Sequence, residues 1–141
     1  MAFFGEKDYQ QLLVIRQMVR DLNFGIDIIG GETMRERDGL AMSSRNVYLS
    51  ADDRVRAARL NVILKEFAAA LNAGMPADQA QKAAMASAAA AFDAVDYVEA
   101  RCAATLEELP SGPIDRDARV LAAVRLGSTR LIDNMAAKRP S

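Results

Sequence analysis

The chain has 141 residues, enough for one domain or for one domain carrying a piece of a second. Hydrophobic residues make up 51% and charged residues 26%, with only four prolines, which excludes the disordered class and provides for a core. Lys plus Arg number 18 against 19 for Asp plus Glu, so the net charge of -1 supplies no long-range field for nucleic acid or an anionic membrane, and any anion must be held by a local site.

Two further features narrow the chemistry. The single cysteine, Cys102, excludes an internal disulfide framework, and no apolar run approaches the roughly 18 residues needed to span a bilayer. A reduced, cytoplasmic setting is expected. There is no histidine, which removes Ser-His-Asp and Cys-His catalysis and almost every zinc site. Met1-Ala2-Phe3-Phe4-Gly5 has no basic region followed by an apolar one, so it is read as the end of a buried strand whose beginning is missing rather than as a signal peptide.

In chain order, Ala2-Phe3-Phe4 running into Gly5 predicts a strand and a tight turn. From Asp8, Leu12, Leu13, Ile15, Val19 and Leu22 recur at helical spacing. Asn23-Phe24-Gly25 supplies the stop, and Ile26-Asp27-Ile28-Ile29, bounded by Gly30-Gly31, predicts a second strand. This is a β-α-β unit, which favours a parallel pair. One unit cannot cover both faces of a parallel sheet, so the segment reads as the last piece of a larger α/β domain.

Residues 32–49 are polar and aperiodic and are expected to form a long loop, the kind of segment that is often functional. Ser50-Ala51-Asp52-Asp53 is a helix start, with Ser50 as N-cap. One helix is expected to run from there to about Asn72, with Val55, Ala58, Leu60, Ile63, Leu64, Phe67 and Leu71 as its apolar face and Gly74 as its stop. Pro76 opens a second, alanine-rich helix that reaches about Phe92.

The period then changes to alternation. Val95 to Arg101, Arg119 to Leu126 and Thr129 to Asn134 predict three strands, the last two joined by a tight turn at Gly127-Ser128, and Leu109 to Pro113 form a loop. Two helices followed by a small antiparallel sheet give an α+β architecture. Tyr97, Val98 and Leu121 are expected in its core, and Cys102 is read as a half-buried small residue rather than a reactive thiol.

Two segments could carry chemistry. Gly5-Glu6-Lys7-Asp8-Tyr9-Gln10-Gln11 lies where a strand ends and a helix begins, where backbone N–H groups and the helix dipole favour an anion. Lys7 adds a charge suited to phosphate, Asp8 could accept from a ribose, and Gln11 shares its helix face. The same residues equally fit a solvated helix start in which Glu6 and Asp8 only offset the dipole. Met42-Ser43-Ser44-Arg45 gathers two hydroxyls and a guanidinium able to follow a phosphate chain as its charge shifts, or forms an ordinary polar loop.

Taken together, Phe4 to Gln11, Arg35-Glu36-Arg37-Asp38-Gly39-Leu40-Ala41-Met42-Ser43-Ser44-Arg45-Asn46, and Arg125-Leu126-Gly127-Ser128-Thr129-Arg130-Leu131-Ile132-Asp133-Asn134 closely resemble three segments of the pantothenate synthetases, or pantoate–beta-alanine ligases, in the right order. The resemblance runs over essentially the whole chain but only to the C-terminal half of the family's length. It implies residues 1–49 as the end of a Rossmann-like nucleotidyltransferase domain with its phosphate-binding loop, and residues 50–141 as a C-terminal lid domain. It also implies a homodimer.

The implied activity is ATP-dependent: Mg-ATP activates pantoate to pantoyl adenylate, and beta-alanine displaces AMP to give pantothenate. By position, Lys7, Ser43, Ser44 and Arg45 would contact the ATP phosphates and carry the catalysis, Gly5 and Asp8 the ribose, Met34 and Met42 the adenine, and Phe4 and Gln11 pantoate. Charge developing on pyrophosphate is what such donors stabilise, so no protein nucleophile is required. No carboxylate cluster suggests a resident metal, and Mg2+ would arrive with ATP.

The family's histidine motif cannot be present, since the chain has none, and Met34 and Arg37 stand where the family commonly has valine and a small residue. The missing N-terminal half of the same enzyme is therefore an expected partner, and the chain alone is expected to be inactive. Two alternatives are a non-catalytic lid or dimerisation module, and a related nucleotidyltransferase acting on another small acid.

Overall fold

The computed structural model describes residues 2–5, 9–22, 28–31 and 33–140. Strand β1 (Ala2–Gly5) pairs in parallel with β2 (Ile28–Gly31), Ala2 opposite Ile28 and Gly5 opposite Gly31, and helix α1 (Tyr9–Leu22) lies between them in sequence. The expected β-α-β unit is present. Strand β2 runs through Gly30 and Gly31 instead of ending before them, pairing them with Phe4 and Gly5, since glycine keeps both the N–H and the C=O of the ladder. The helix stop at residues 23–25 lies outside the described residues. On α1, Leu12 is buried while Val14 is exposed.

Residues 33–49 form a loop with no strand or α-helix, as expected, but one with internal order. Arg35 and Ala41 form an antiparallel bridge, Met42 N–H donates to Met34 O at 2.8 Å, and Glu36 N–H donates to Leu40 O at 2.8 Å. Gly39 makes the turn with φ at 94°. Leu40 and Ala41 are both buried, and Leu40 joins the main core. A single 3-10 turn, Ser44–Tyr48, follows, and Ser43 caps it by accepting from Arg45 N–H at 3.2 Å.

Ser50 is the N-cap of α2 (Ala51–Ala57), its hydroxyl accepting from Asp53 N–H at 3.1 Å. The expected single helix divides at Ala58, and α3 spans Arg59–Asn72. Ala58 stays right-handed, with φ at -62° and ψ at -20°, so a tightened turn rather than a breaker redirects the chain. On α2, Arg54 pairs with Asp38 at 2.6 Å and Arg56 with Asp93 at 3.0 Å. Val55 is exposed, off the apolar face assigned to it, while Ala57 takes the buried position in place of Ala58. From Leu60 to Leu71 the apolar face is as expected, with Asn61 buried beside it.

Helix α4 (Ala77–Ala91) starts after Pro76 and buries Ala77, Ala80, Ala84 and Ala88, small residues at helical spacing that let it pack closely on its neighbours. Strands β3 (Ala94–Cys102), β4 (Ala118–Leu126) and β5 (Thr129–Ala137) form an antiparallel sheet in the order β3-β4-β5. Gly127, with φ at 59°, makes the two-residue turn between Leu126 and Thr129. Helices α3 and α4 cover one face of the sheet, where Val98, Ala100, Val120, Ala122, Val124 and Leu131 complete the core.

Strand alternation separates the three residues expected in that core. Val98 is buried there, but Tyr97 and Leu121 point to the opposite face and are half-buried facing α1. Cys102 is buried at the end of β3, and a hydrogen bond with the Thr105 side chain lowers its thiol below the usual range.

Candidate active site

The turn of residues 35–41 carries Met42, Ser43 and Arg45 to the rim of a cleft of about 360 Å³. Its opposite wall is the start of β5, from Arg130 to Asp133, and Leu40, Ala41, Asn46 and Leu60 form the remainder. Met34 and Met42 are neighbours through the hydrogen bond between their main chains, and both side chains are exposed. Ser43 is half-buried and Arg45 exposed, and both line this one cleft. The backbone of Ser44 begins the 3-10 turn next to them.

Gln11 lies elsewhere. It is exposed on α1 and lines a second cleft, of about 410 Å³, with Tyr9, Val14, Tyr97 and Leu121. Arg130, Ile132 and Asp133 line both clefts, so the two adjoin along β5. Phe4 and Gly5 end β1, where the chain leaves the parallel pair. Lys7 and Asp8 lie outside the described residues. Among the described residues, no group of three or more cysteine, aspartate or glutamate side chains is placed to hold a metal.

Charge around the clefts is organised by β5. Arg35 grips Asp133 with two bonds, Nη1 to Oδ2 at 2.6 Å and Nη2 to Oδ1 at 2.8 Å, and its Nη1 also donates to Gly39 O at 3.0 Å. The Asp133 side chain is 1% exposed, so this fork supplies the cation that a buried carboxylate requires. Arg130 instead pairs with Asp96 at 2.7 Å, and Arg125 and Arg130 together hold that carboxyl below its usual range.

Reading the sequence alone missed Arg35, Arg130 and Asp133 as members of this site. A signal was present: alternation along β5 places Asp133 on the same face as buried Leu131, and an inward carboxylate implies a basic partner. The location of that partner was not implied, because Arg35 is distant in the chain and lies in a segment with no regular period.

A parallel β-α-β unit followed by helices laid over an antiparallel three-stranded sheet defines an α+β protein with its candidate clefts along the last strand. Residues 1–136 match the family model for pantoate-beta-alanine ligase. The pantothenate synthetase of Maricaulis maris (strain MCS10) is 70% identical over 141 residues, a match that covers 100% of this chain and 49% of that protein. The crystal structure of pantothenate synthetase from Thermus thermophilus superposes with a TM-score of 0.86 at 43% identity, over 95% of this chain and 48% of that one. The pantoate-beta-alanine ligase of Francisella tularensis, crystallised with beta-gamma ATP and beta-alanine, gives a TM-score of 0.60 at 28% identity, over 94% and 42%.

The chain belongs to the pantoate–beta-alanine ligase family. It spans about half the length of the curated relatives it matches.

Proposed function

We propose that this chain supplies the C-terminal half of an ATP-dependent ligase that condenses pantoate with beta-alanine. In the first step the pantoate carboxylate attacks the α-phosphorus of ATP, forming pantoyl adenylate as the bond to pyrophosphate breaks. In the second, the beta-alanine amine attacks the acyl carbon, and AMP leaves with the bonding electrons as the amine loses a proton. The products are pantothenate, AMP and pyrophosphate.

The observation that carries this reading is the convergence of Met42, Ser43 and Arg45 on one cleft opposite β5. Ser43, Ser44 and Arg45, with Lys7, are assigned to the phosphates, where their donors oppose charge developing on pyrophosphate. Met34 and Met42 are assigned to adenine, and their adjacency in the turn supports a shared contact. Gly5 and Asp8 are assigned to the ribose. Phe4 and Gln11 are assigned to pantoate, which Gln11's separate cleft accommodates. Mg2+ enters as part of the Mg-ATP substrate.

Residues 1–49 would then be the nucleotide-binding part and 50–141 the lid, completed by an upstream half and assembled as a cytoplasmic homodimer. Among the described residues no helix is long and apolar enough to cross a membrane. The test is pantoate-dependent pyrophosphate release from Mg-ATP, by the chain alone and joined to the upstream half of a relative. The reading expects silence from the first and turnover from the second. Activity of the isolated chain would overturn its incompleteness, and silence of the joined protein would favour a lid that acts only by packing.

A further inference from the structure

The start of α1 and the Ser43 loop are far apart in sequence, and contacts through β4 and β5 join them. At one end stands Tyr9, the first residue of α1 and the neighbour of Asp8. Its hydroxyl donates to Ala103 O at 2.8 Å, and the Arg119 guanidinium lies 4.4 Å from its ring centroid. Arg119 Nε donates to Asn134 Oδ1 at 2.7 Å, and Asn134 N–H donates to Asp133 Oδ1 at 2.8 Å. Asp133 receives the fork of Arg35, and Arg35 closes the turn whose ladder places Met42 and then Ser43.

We propose that Asp133 is a positioning residue that orients the Ser43–Arg45 loop through Arg35. The proposal rests on the reading of that loop as the phosphate site. Three features support it. A two-bond fork fixes angle as well as distance, which a single contact does not. Asp133, Asn134 and Arg119 are all at least nine-tenths buried, so a displaced partner leaves a polar group stranded away from water. The same Arg35 guanidinium also bonds Gly39 O, so docking the turn and shaping it are one event.

Donors that tighten on a departing pyrophosphate lose on the order of a hundredfold in rate when misplaced by about an ångström. Disturbing the fork should therefore lower kcat without weakening pantoate.

The test uses the chain joined to the upstream half of a relative, assayed for pantoate-dependent pyrophosphate release. Arg35→Lys keeps a cation opposite Asp133 but loses the fork, so the buried carboxylate is not left alone. The expected result is a kcat lowered by about tenfold or more, with the pantoate KM within about twofold of wild type. Asp133→Asn should show the same split. Arg35→Lys combined with Arg45→Ala should be no slower than Arg45→Ala alone, because the loop is already disabled. A merely structural role would instead multiply the two losses. Wild-type kcat in Arg35→Lys, or multiplied losses in the double variant, would overturn the positioning role. Full turnover in Arg45→Ala would overturn the phosphate-loop reading itself and take this proposal with it.

Discussion

Gly39 turns with φ at 94° against the buried amide of Asn61, and a Cβ on it would collide with Asn61 Nδ2 and stand 2.8 Å from its Cγ. Both the backbone angle and the space call for glycine, at the apex of the turn that carries the Ser43–Arg45 loop. Gly39→Ala is expected to destabilise the protein by about 2 to 4 kcal/mol, from left-handed strain plus overpacking. Urea denaturation measures it. Gly39→Ala with Asn61→Ala should cost less than the two single changes added together, since removing the amide relieves the collision and leaves only the strain. Simple additivity would show that the two residues do not oppose each other.

Helix α2 depends on its first residues. The Ser50 hydroxyl satisfies the Asp53 N–H, one of the amide groups a helix start leaves without an internal partner. Ser50→Ala is expected to cost about 1 kcal/mol and Ser50→Asp close to nothing, because an aspartate accepts the same bond and favours the dipole. An equal loss in both variants, read from the denaturant midpoint, would remove the cap from the account.

Most of the fold was legible in the sequence, because its signals are local. Leu60, Ile63, Leu64, Phe67 and Leu71 recur at helical spacing and are buried together, and the three strands and the Gly127 turn fall where alternation and turn residues place them. The division at Ala58 was not legible, since no glycine or proline marks it and its backbone stays right-handed. The ion-pair partners of α2, Asp38 and Asp93, come from other parts of the chain and were not legible either. The candidate site shows the same split. Ser43 and Arg45 stood out as residue types in a loop, whereas Arg35 and Asp133 meet only through the tertiary fold.

Asp93 joins the hairpin turn to α2, accepting from Gly127 N–H at 2.7 Å and pairing with Arg56. The Gly127 bond first, and Arg56 after it, hold the Asp93 carboxyl below its usual range. A carboxyl depressed by folding binds fewer protons in the native than in the unfolded chain. Its contribution is therefore present above the unfolded value of about 3.9 and is lost as pH falls through the lower folded value. Asp93→Asn should lower Tm at pH 7, and the gap from wild type should narrow as pH drops below about 4. A gap that stayed constant with pH would remove the charge of Asp93 as its cause.

The two clefts along β5 predict a division of labour that kinetics can read. Gln11 lines only the cleft against α1, while Ser43 and Arg45 line only the one beside the turn of residues 35–41. In the chain joined to an upstream half, Gln11→Ala should raise the pantoate KM by about tenfold, the scale of one lost hydrogen bond, and leave the ATP KM within about twofold. Ser43→Ala and Arg45→Ala should do the reverse for KM and also lower kcat, because their donors are assigned to charge that grows on pyrophosphate in the transition state. Arg45→Lys should recover only part of that loss, since an ammonium restores the charge without the planar pair of donors. Gln11→Ala acting on ATP as strongly as on pantoate would mean that the clefts are one site, and the assignment of α1 to the acid substrate would fall.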